Sequence, residues 1–267
     1  MFYRNISVCN FDFIALSETW LFESISSNEL FTQDYVVFRK DRNYNVLNAS
    51  MGGGVLFAAK NVHTCVQVNL SSITDTLPTI DIICVTISST YKSFFYVLVI
   101  YIPPSTSYED YELLLDLLSS LEEFHNNKVF IVGDFNIPQF SANSNDRFSS
   151  LLNNFASFLN LSQFNHILNI LNRTLDLIFT NSTVLVYKSH NPLVAEDRYN
   201  PALEIQYQIE VKPVNNFQMN PNSKQFNFKK ADFLYLYNTL LSTDWSAIYN
   251  SNMVNDACIT FYDILSI

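Results

Sequence analysis

The sequence predicts an α/β domain on three observations: short strand-like runs bounded by turn residues, two stretches with apolar side chains at helical spacing, and enough apolar residue for a large core. Of 267 residues, 48% are hydrophobic, which suffices for one domain with a substantial interior. The strand-like runs are residues 11–16, 54–59, 80–87, 94–102, 129–132, 175–180 and 202–211, each rich in β-branched or aromatic residues and bounded by Gly, Pro, Asn or Ser. Residues 108–125 place Leu at helical spacing after a Ser107-x-x-Asp110 start signal, and residues 146–161 do the same with Phe and Leu. These two stretches read as helices covering a sheet.

Residues 212–228 are rich in Asn, Gln and Pro and lack periodicity, which suits a linker. The expected organisation is therefore a domain over 1–211, a linker over 212–228 and a helical segment over 229–267, with helices at 229–241 and 252–265. Pattern alone leaves that last segment open between a fragment of a longer polypeptide and a helical cap on the same domain.

Charge and cysteine usage exclude several classes. With 15 basic and 25 acidic residues, net −10, the chain is not one whose binding rests on broad phosphate neutralisation. Nucleic acid would have to be held locally, and Arg39, Lys40 and Arg42 are the candidate contact cluster, with a solvated loop as the alternative. Cys9, Cys65, Cys84 and Cys258 lie far apart with no CxxC pair, so neither a zinc site nor a disulfide framework is expected. No apolar run approaches the roughly 18 residues of a membrane span, and the first residues lack a signal-peptide core. A soluble intracellular protein with no membrane partner is the expectation. The 23 Phe and 15 Tyr fall mostly at core spacing, which assigns them to packing rather than to base stacking.

Three acids sit where strands begin or end: Glu18 after Phe13-Ile14-Ala15-Leu16-Ser17, Asp134 after Phe130-Ile131-Val132-Gly133, and Asp176 at the head of Leu177-Ile178-Phe179. Carboxylates at strand ends can converge on one rim of a sheet, where rigid elements hold them. A hard cation suits such a rim, and Mg²⁺ needs only one or two protein carboxylates. Within Gly133-Asp134-Phe135-Asn136, the glycine is expected to let the chain turn sharply, and Asn136 offers an amide that can donate to a phosphate oxygen.

Those acids fall in an ordered set of motifs: Leu16-Ser17-Glu18-Thr19-Trp20-Leu21, Gly52-Gly53-Gly54-Val55-Leu56, Val99-Ile100-Tyr101-Ile102-Pro103-Pro104, the Gly133–Asn136 sequence, and Leu175-Asp176-Leu177-Ile178-Phe179. Over about residues 1–211 the set resembles the endonuclease/exonuclease/phosphatase superfamily, and within it the endonuclease domains of jockey-type non-LTR (LINE-like) retrotransposons. The segment through Asp244-Trp245 is similar to the connector such elements place before their reverse transcriptase. The resemblance disfavours a third reading, a phosphodiesterase of phospholipids or inositol phosphates.

The resemblance implies a four-layer α/β sandwich, two packed mixed β-sheets flanked by helices. It implies Mg²⁺ or Mn²⁺ as cofactor, DNA as partner, a reverse transcriptase domain in the same polypeptide and a nuclear destination. By motif match, Glu18 binds the metal, Asp134 positions or deprotonates the attacking water, Asn136 steadies the phosphate, Tyr101 contacts it, and Asp176 orients a catalytic histidine. The implied reaction hydrolyses one DNA phosphodiester and leaves a 3′-hydroxyl that primes reverse transcription.

Two departures from the family pattern stand out. The family opens with a strand ending in a metal-side asparagine, whereas only 17 residues precede Glu18 here; a truncated domain lacking its first strand is expected, and Asn5 is not assigned that role. Near the other end, Asp197 keeps the acid position, with a catalytic and metal-side role, but Asn200 stands where the family has a histidine. A neutral amide hydrogen-bonds but cannot shuttle a proton near pH 7. His190 is the nearest substitute in sequence, and His63, His125 and His166 have no triad-like neighbours. The expectation is a weakened or inactive endonuclease domain, the alternative a non-catalytic remnant that at most binds nucleic acid.

Overall fold

The computed structural model describes residues 2–42, 52–88, 94–137, 140, 146–196, 198–208, 232–251 and 253–265. The chain divides into two compact units, residues 1–214 and 215–267. In chain order the first unit runs α1 (Phe2–Cys9), β1 (Phe13–Ser17), a 3₁₀ turn (Ser27–Glu29), β2 (Tyr35–Lys40), β3 (Val55–Lys60), β4 (Thr64–Gln67), α2 (Ser71–Thr76), β5 (Asp81–Ser88) and β6 (Phe94–Tyr101). It continues α3 (Tyr108–Ser119), α4 (Glu122–His125), β7 (Lys128–Asp134), α5 (Arg147–Phe158), β8 (Ser162–Gln163), β9 (Asp176–Thr180), β10 (Val184–Lys188) and β11 (Leu203–Tyr207).

Among the described residues the strands form a three-stranded sheet, β1-β3-β2, a six-stranded sheet, β4-β5-β6-β7-β9-β8, and a β10-β11 pair. The smaller sheet is antiparallel throughout. The larger is mixed, because β6 and β7 run parallel across a crossover that carries α3 and α4. Burial on both faces explains why β3, β5 and β6 read as nearly unbroken apolar runs in the sequence.

Each strand of the large sheet sends alternate residues to opposite sides. Ile83, Val85, Val97, Val99, Phe130, Val132 and Ile178 pack with Val55, Phe57 and Ala59 of β3 between the two sheets. Ile82, Leu98, Ile100, Ile131 and Phe179 pack against Leu114, Leu118, Leu152 and Phe155 of α3 and α5. On the far side of the small sheet, Ile6 of α1 packs with Ile14, Leu56, Ala58 and Phe31. The layers are thus α1, small sheet, large sheet and the α2/α3/α5 group, the sandwich that the resemblance implies. Aromatic residues fill it: Phe13 stacks on Phe57 at 6.0 Å, and Phe95, Phe130 and Tyr207 meet edge-on.

Several elements differ from their sequence-based bounds. The single helix expected over 108–125 breaks after Ser119. There the Ser120 hydroxyl donates to the Leu117 carbonyl at 2.7 Å, Ser120 N–H is shared among the carbonyls of Asp116, Leu117 and Leu118, and Leu121 turns extended. Serine side chains compete with the helical ladder in this way. The strands β2, β4, β8 and β10 and the helix α1 are not among the elements expected from the sequence. Asn5 lies on α1, and its Nδ2 donates to the carbonyl of Leu193 at 3.0 Å.

The linker expected over 212–228 lies outside the described residues. The second unit contains α6 (Phe233–Ser242), α7 (Ser246–Tyr249) and α8 (Val254–Leu265). Within it Trp245 stacks on Phe261 at 5.9 Å, and its Nε1 donates to the Leu240 carbonyl at 3.0 Å.

Candidate active site

One row of residues crosses the large sheet at the rim of the inter-sheet space. Asp81 of β5 lies opposite Tyr101 of β6, Tyr101 beside Asp134 of β7, and Asp134 opposite Asp176 of β9. Because paired residues point to the same face, the row places three acids and a phenol along one edge. The small sheet supplies the facing wall, since β1 ends at Ser17 opposite Val55, and Glu18 is the next residue.

The chain turns sharply on either side of this rim. Glu18 (φ 52°), Trp20 (φ 54°) and Asn136 (φ 50°) adopt left-handed backbone conformations, each costing on the order of 1 kcal/mol in a non-glycine residue. Gly133 plays a different part from the sharp turn expected of it. It lies inside β7, with φ +143°, and a Cβ there would sit 1.9 Å from the Ile100 carbonyl oxygen. Its missing side chain lets β7 press against β6, and the turn falls at Phe135-Asn136 instead. Tyr111, buried in α3, donates its hydroxyl to the Phe135 carbonyl and fixes that turn from beneath.

A cleft of about 320 Å³ opens between the walls, lined by Glu18, Tyr101, Asp134, Asn136 and Asn200 together with Asn169, Arg173 and Tyr199. Five residues singled out from the sequence therefore share one space. Asp176 stands next to Asp134 in the row but does not line the cleft, and Asp197 lies outside the described residues. His190 is exposed in the segment after β10 and does not line the cleft.

Burial sets the chemistry of Asp134, which is 3% exposed. Desolvation, joined by the charge of Glu18, pushes its carboxyl up to about 6, against the pull of the Asn136 backbone and side-chain amides. Tyr101 is pushed above the ordinary phenol range, first by burial and then by its hydrogen bond to Glu18, so it is a neutral hydroxyl at any physiological pH. Asn136 donates its Nδ2 hydrogens to the Ile102 carbonyl and to Asp134 Oδ2, both at 2.9 Å. Donation to a phosphate oxygen, the role read from the sequence, would require release of one of them.

The donor set fits a small divalent cation. Among the described residues no group of three or more His, Cys, Asp or Glu forms a closed cage. Mg²⁺, however, takes one or two carboxylates and retains water, and Glu18 and Asp134 face the same cleft with a mutual repulsion that raises Asp134.

Sequence reading missed two contributors and gave a third another role. Asn169 is 7% exposed; its Oδ1 accepts from the backbone of Leu171 and Arg173 at 2.9 and 3.0 Å, and its Nδ2 donates to the Tyr199 carbonyl at 3.0 Å. It ties the loop bearing Arg173 to the segment bearing Asn200. Asp81 and Arg42 are the others. The proposed basic contact cluster is corrected here: Arg39 pairs with Asp41 at 2.9 Å, Arg42 pairs with buried Asp81 at 2.7 Å, and burial lowers the Lys40 ammonium below its ordinary range. Both arginines are thus engaged in ion pairs within the fold rather than free in a solvated loop. Across the cleft the Asn200 Oδ1 is buried and has no hydrogen-bond partner among the described residues.

An α/β sandwich with carboxylates gathered at strand ends over an open cleft defines the class of protein. The chain belongs to the Endonuclease/Exonuclease/phosphatase family, whose profile matches residues 3–206. Among curated proteins none matches the sequence. The fold is similar to the endonuclease domain of TRAS1, a telomere-specific non-LTR retrotransposon, with a TM-score of 0.53 at 12% identity over 76% of this chain and 89% of that one. It is also similar to the APE2 catalytic domain of Xenopus laevis (TM-score 0.45, 14% identity, 75% and 84% coverage). A third likeness is to D. rerio TDP2 complexed with a single-strand DNA product (TM-score 0.43, 9% identity, 74% and 84% coverage).

Proposed function

We propose that this chain is a divalent-metal-dependent DNA endonuclease domain of the non-LTR retrotransposon kind, and that its turnover is low. The observation that carries the reading is the convergence of Glu18, Tyr101, Asp134 and Asn136 on one cleft. Family membership and the likeness to a retrotransposon endonuclease support it. In this reading Glu18 and Asp134 hold Mg²⁺ or Mn²⁺, which when bound supplies charge neutralisation at the phosphate and an activated water.

The chain's own groups do the rest. Asp134 faces the cleft beside Glu18, where its carboxylate suits orienting the attacking water. Tyr101 shares the cleft with Glu18 and presents a neutral hydroxyl beside that carboxylate. Arg173 lines the cleft, and a positive side chain there suits local phosphate contact in a protein of net charge −10. Asn200 lines the cleft where the family's histidine is expected, and an amide cannot transfer a proton. In the parent element, the helical segment after residue 228 connects to a reverse transcriptase that extends the 3′-hydroxyl left by nicking, and the domain acts in the nucleus.

Nicking of supercoiled plasmid with Mg²⁺ and with Mn²⁺ tests this. Slow nicking that Asn200→His accelerates and Glu18→Ala abolishes is the expected result. If folded wild type and folded Asn200→His both leave the plasmid intact, the chain is a non-catalytic remnant.

A further inference from the structure

We infer that the buried Arg42–Asp81 ion pair is a positioning device that clamps the Glu18 turn and Tyr101 at the cleft. This rests on the proposed role of that cleft as a metal-holding site. Asp81 is the fourth member of the rim row, 1% exposed, and no step of the proposed chemistry uses it.

One of its oxygens, Oδ2, accepts hydrogen bonds from Gly54 N–H at 2.8 Å and Arg42 Nε at 2.9 Å and lies 2.7 Å from Arg42 Nη2 across the ion pair. Burial pushes this carboxyl upward, while the Gly54 amide and the Arg42 guanidinium pull it back. Two hydrogen bonds and a paired guanidinium on one oxygen are the surroundings of an ionised carboxylate, and the geometry assigns that form.

From Asp81 the contacts lead to both walls. Gly54 and Gly53, fixed through the Gly54 amide, offer their carbonyls to Thr19 N–H at 3.2 Å and Trp20 N–H at 3.0 Å. Those are the two residues after Glu18, in a turn whose Glu18 and Trp20 have positive φ and which needs outside support to persist. Gly53 is packed so closely that a Cβ would lie 2.2 Å from the Arg42 guanidinium and 2.6 Å from Asp81 Oδ2. In the other direction the Arg42 guanidinium carbon lies 5.1 Å from the centre of the Tyr101 ring. Arg42 itself is braced by the Thr79 carbonyl at 3.0 Å. One buried pair thus reaches, through Gly53 and Gly54, the backbone just after Glu18, and lies against the ring of Tyr101, which shares the cleft with Glu18.

The test uses the full chain and two readouts, amide hydrogen exchange and Mn²⁺ binding without DNA. In Arg42→Met the Thr19 and Trp20 amides should exchange at least about tenfold faster while those of Val85 and Leu98 keep their protection. Mn²⁺ affinity should fall by about 10- to 100-fold, the range for lost support behind a metal ligand. Arg42→Lys, which keeps the charge but not the fork, should lose less. Because Arg42→Met strands a buried carboxylate, the double variant Arg42→Met/Asp81→Asn is measured beside it and should show the same local loosening.

Unchanged Thr19 and Trp20 exchange, or acceleration spread evenly over the whole domain, overturns the clamp. If those amides respond but wild type binds no Mn²⁺, the clamp stands and the metal reading of the cleft falls. If Mn²⁺ binds wild type and every variant alike, the metal reading stands and the clamp falls.

Discussion

Asp134→Asn should make the protein more stable at pH 8 than wild type, at the expense of metal binding. The cause is the burial of Asp134, 3% exposed, whose carboxyl is held at about 6 against an ordinary value of 3.8. A shift of that size corresponds to about 3 kcal/mol. Its sign follows from proton uptake. Between pH 4 and 6 the folded protein holds a proton that the unfolded chain has released, so wild-type stability falls as pH rises through that window and levels off above it. The amide variant has no such ionisation. Against this stands one lost acceptor, since Asp134 takes bonds from Asn136 N–H and from Asn136 Nδ2, both at 2.9 Å, and an amide offers only one oxygen; the cost is about 1 kcal/mol.

Urea unfolding followed by circular dichroism at pH 4, 5, 6, 7 and 8 measures the difference directly, because contributions from groups not coupled to Asp134 cancel between the two proteins. The variant should be about 0.5 kcal/mol less stable at pH 4, where the unfolded carboxyl is already partly ionised, and about 2 kcal/mol more stable at pH 8. Adding Mn²⁺ at about a hundred times its dissociation constant should return about 2.7 kcal/mol to wild type alone. A difference that stays flat from pH 4 to 8, or that moves in favour of wild type, would refute the assignment of a desolvated carboxyl at this position.

Glu18→Gln removes the charge that helps to raise Asp134, so the Asp134 midpoint, followed by carboxyl NMR, should move down, and Mn²⁺ binding should weaken by at least tenfold, on the order of one lost ligand. Gly133→Ala should cost about 3 kcal/mol or more by forcing a Cβ against the Ile100 carbonyl oxygen, and thermal unfolding should fall by roughly 6 to 12 °C. Asn169→Ala strands the Leu171 and Arg173 amides and the Tyr199 carbonyl; a loss of about 2 kcal/mol in urea unfolding is expected, and an unchanged midpoint would remove Asn169 from the site's support.

How far the site could be read in advance differs residue by residue. Glu18, Asp134 and Asp176 were legible because each follows or begins an apolar strand, and strand ends gather at a rim. The strands β5 and β6 were legible as unbroken apolar runs, since a sheet covered on both faces leaves no polar alternation. Asp81 begins such a run as well, yet nothing local marks it, because its partner Arg42 is 39 positions away. Arg39 and Arg42 looked like solvent-facing charge for the same reason. Gly133 was read as the residue that lets the chain turn sharply, because the neighbour that demands its missing side chain, Ile100, lies on another strand.

The sequence by itself determined which groups are present at the ends of the strands: two carboxylates and a phenol for the cleft, and an amide rather than an imidazole at position 200. These are covalent facts, and no packing can give Asn200 a titrating proton. The tertiary structure alone decided what those groups are. Register brought Asp81, Tyr101, Asp134 and Asp176 into one row, exclusion of water raised Asp134 toward neutrality, and burial turned Arg42 from a surface charge into the partner of Asp81. Ionisation and ion pairing depend on how much solvent surrounds a charge and on which charges lie within a few ångströms, and only the folded chain sets those distances.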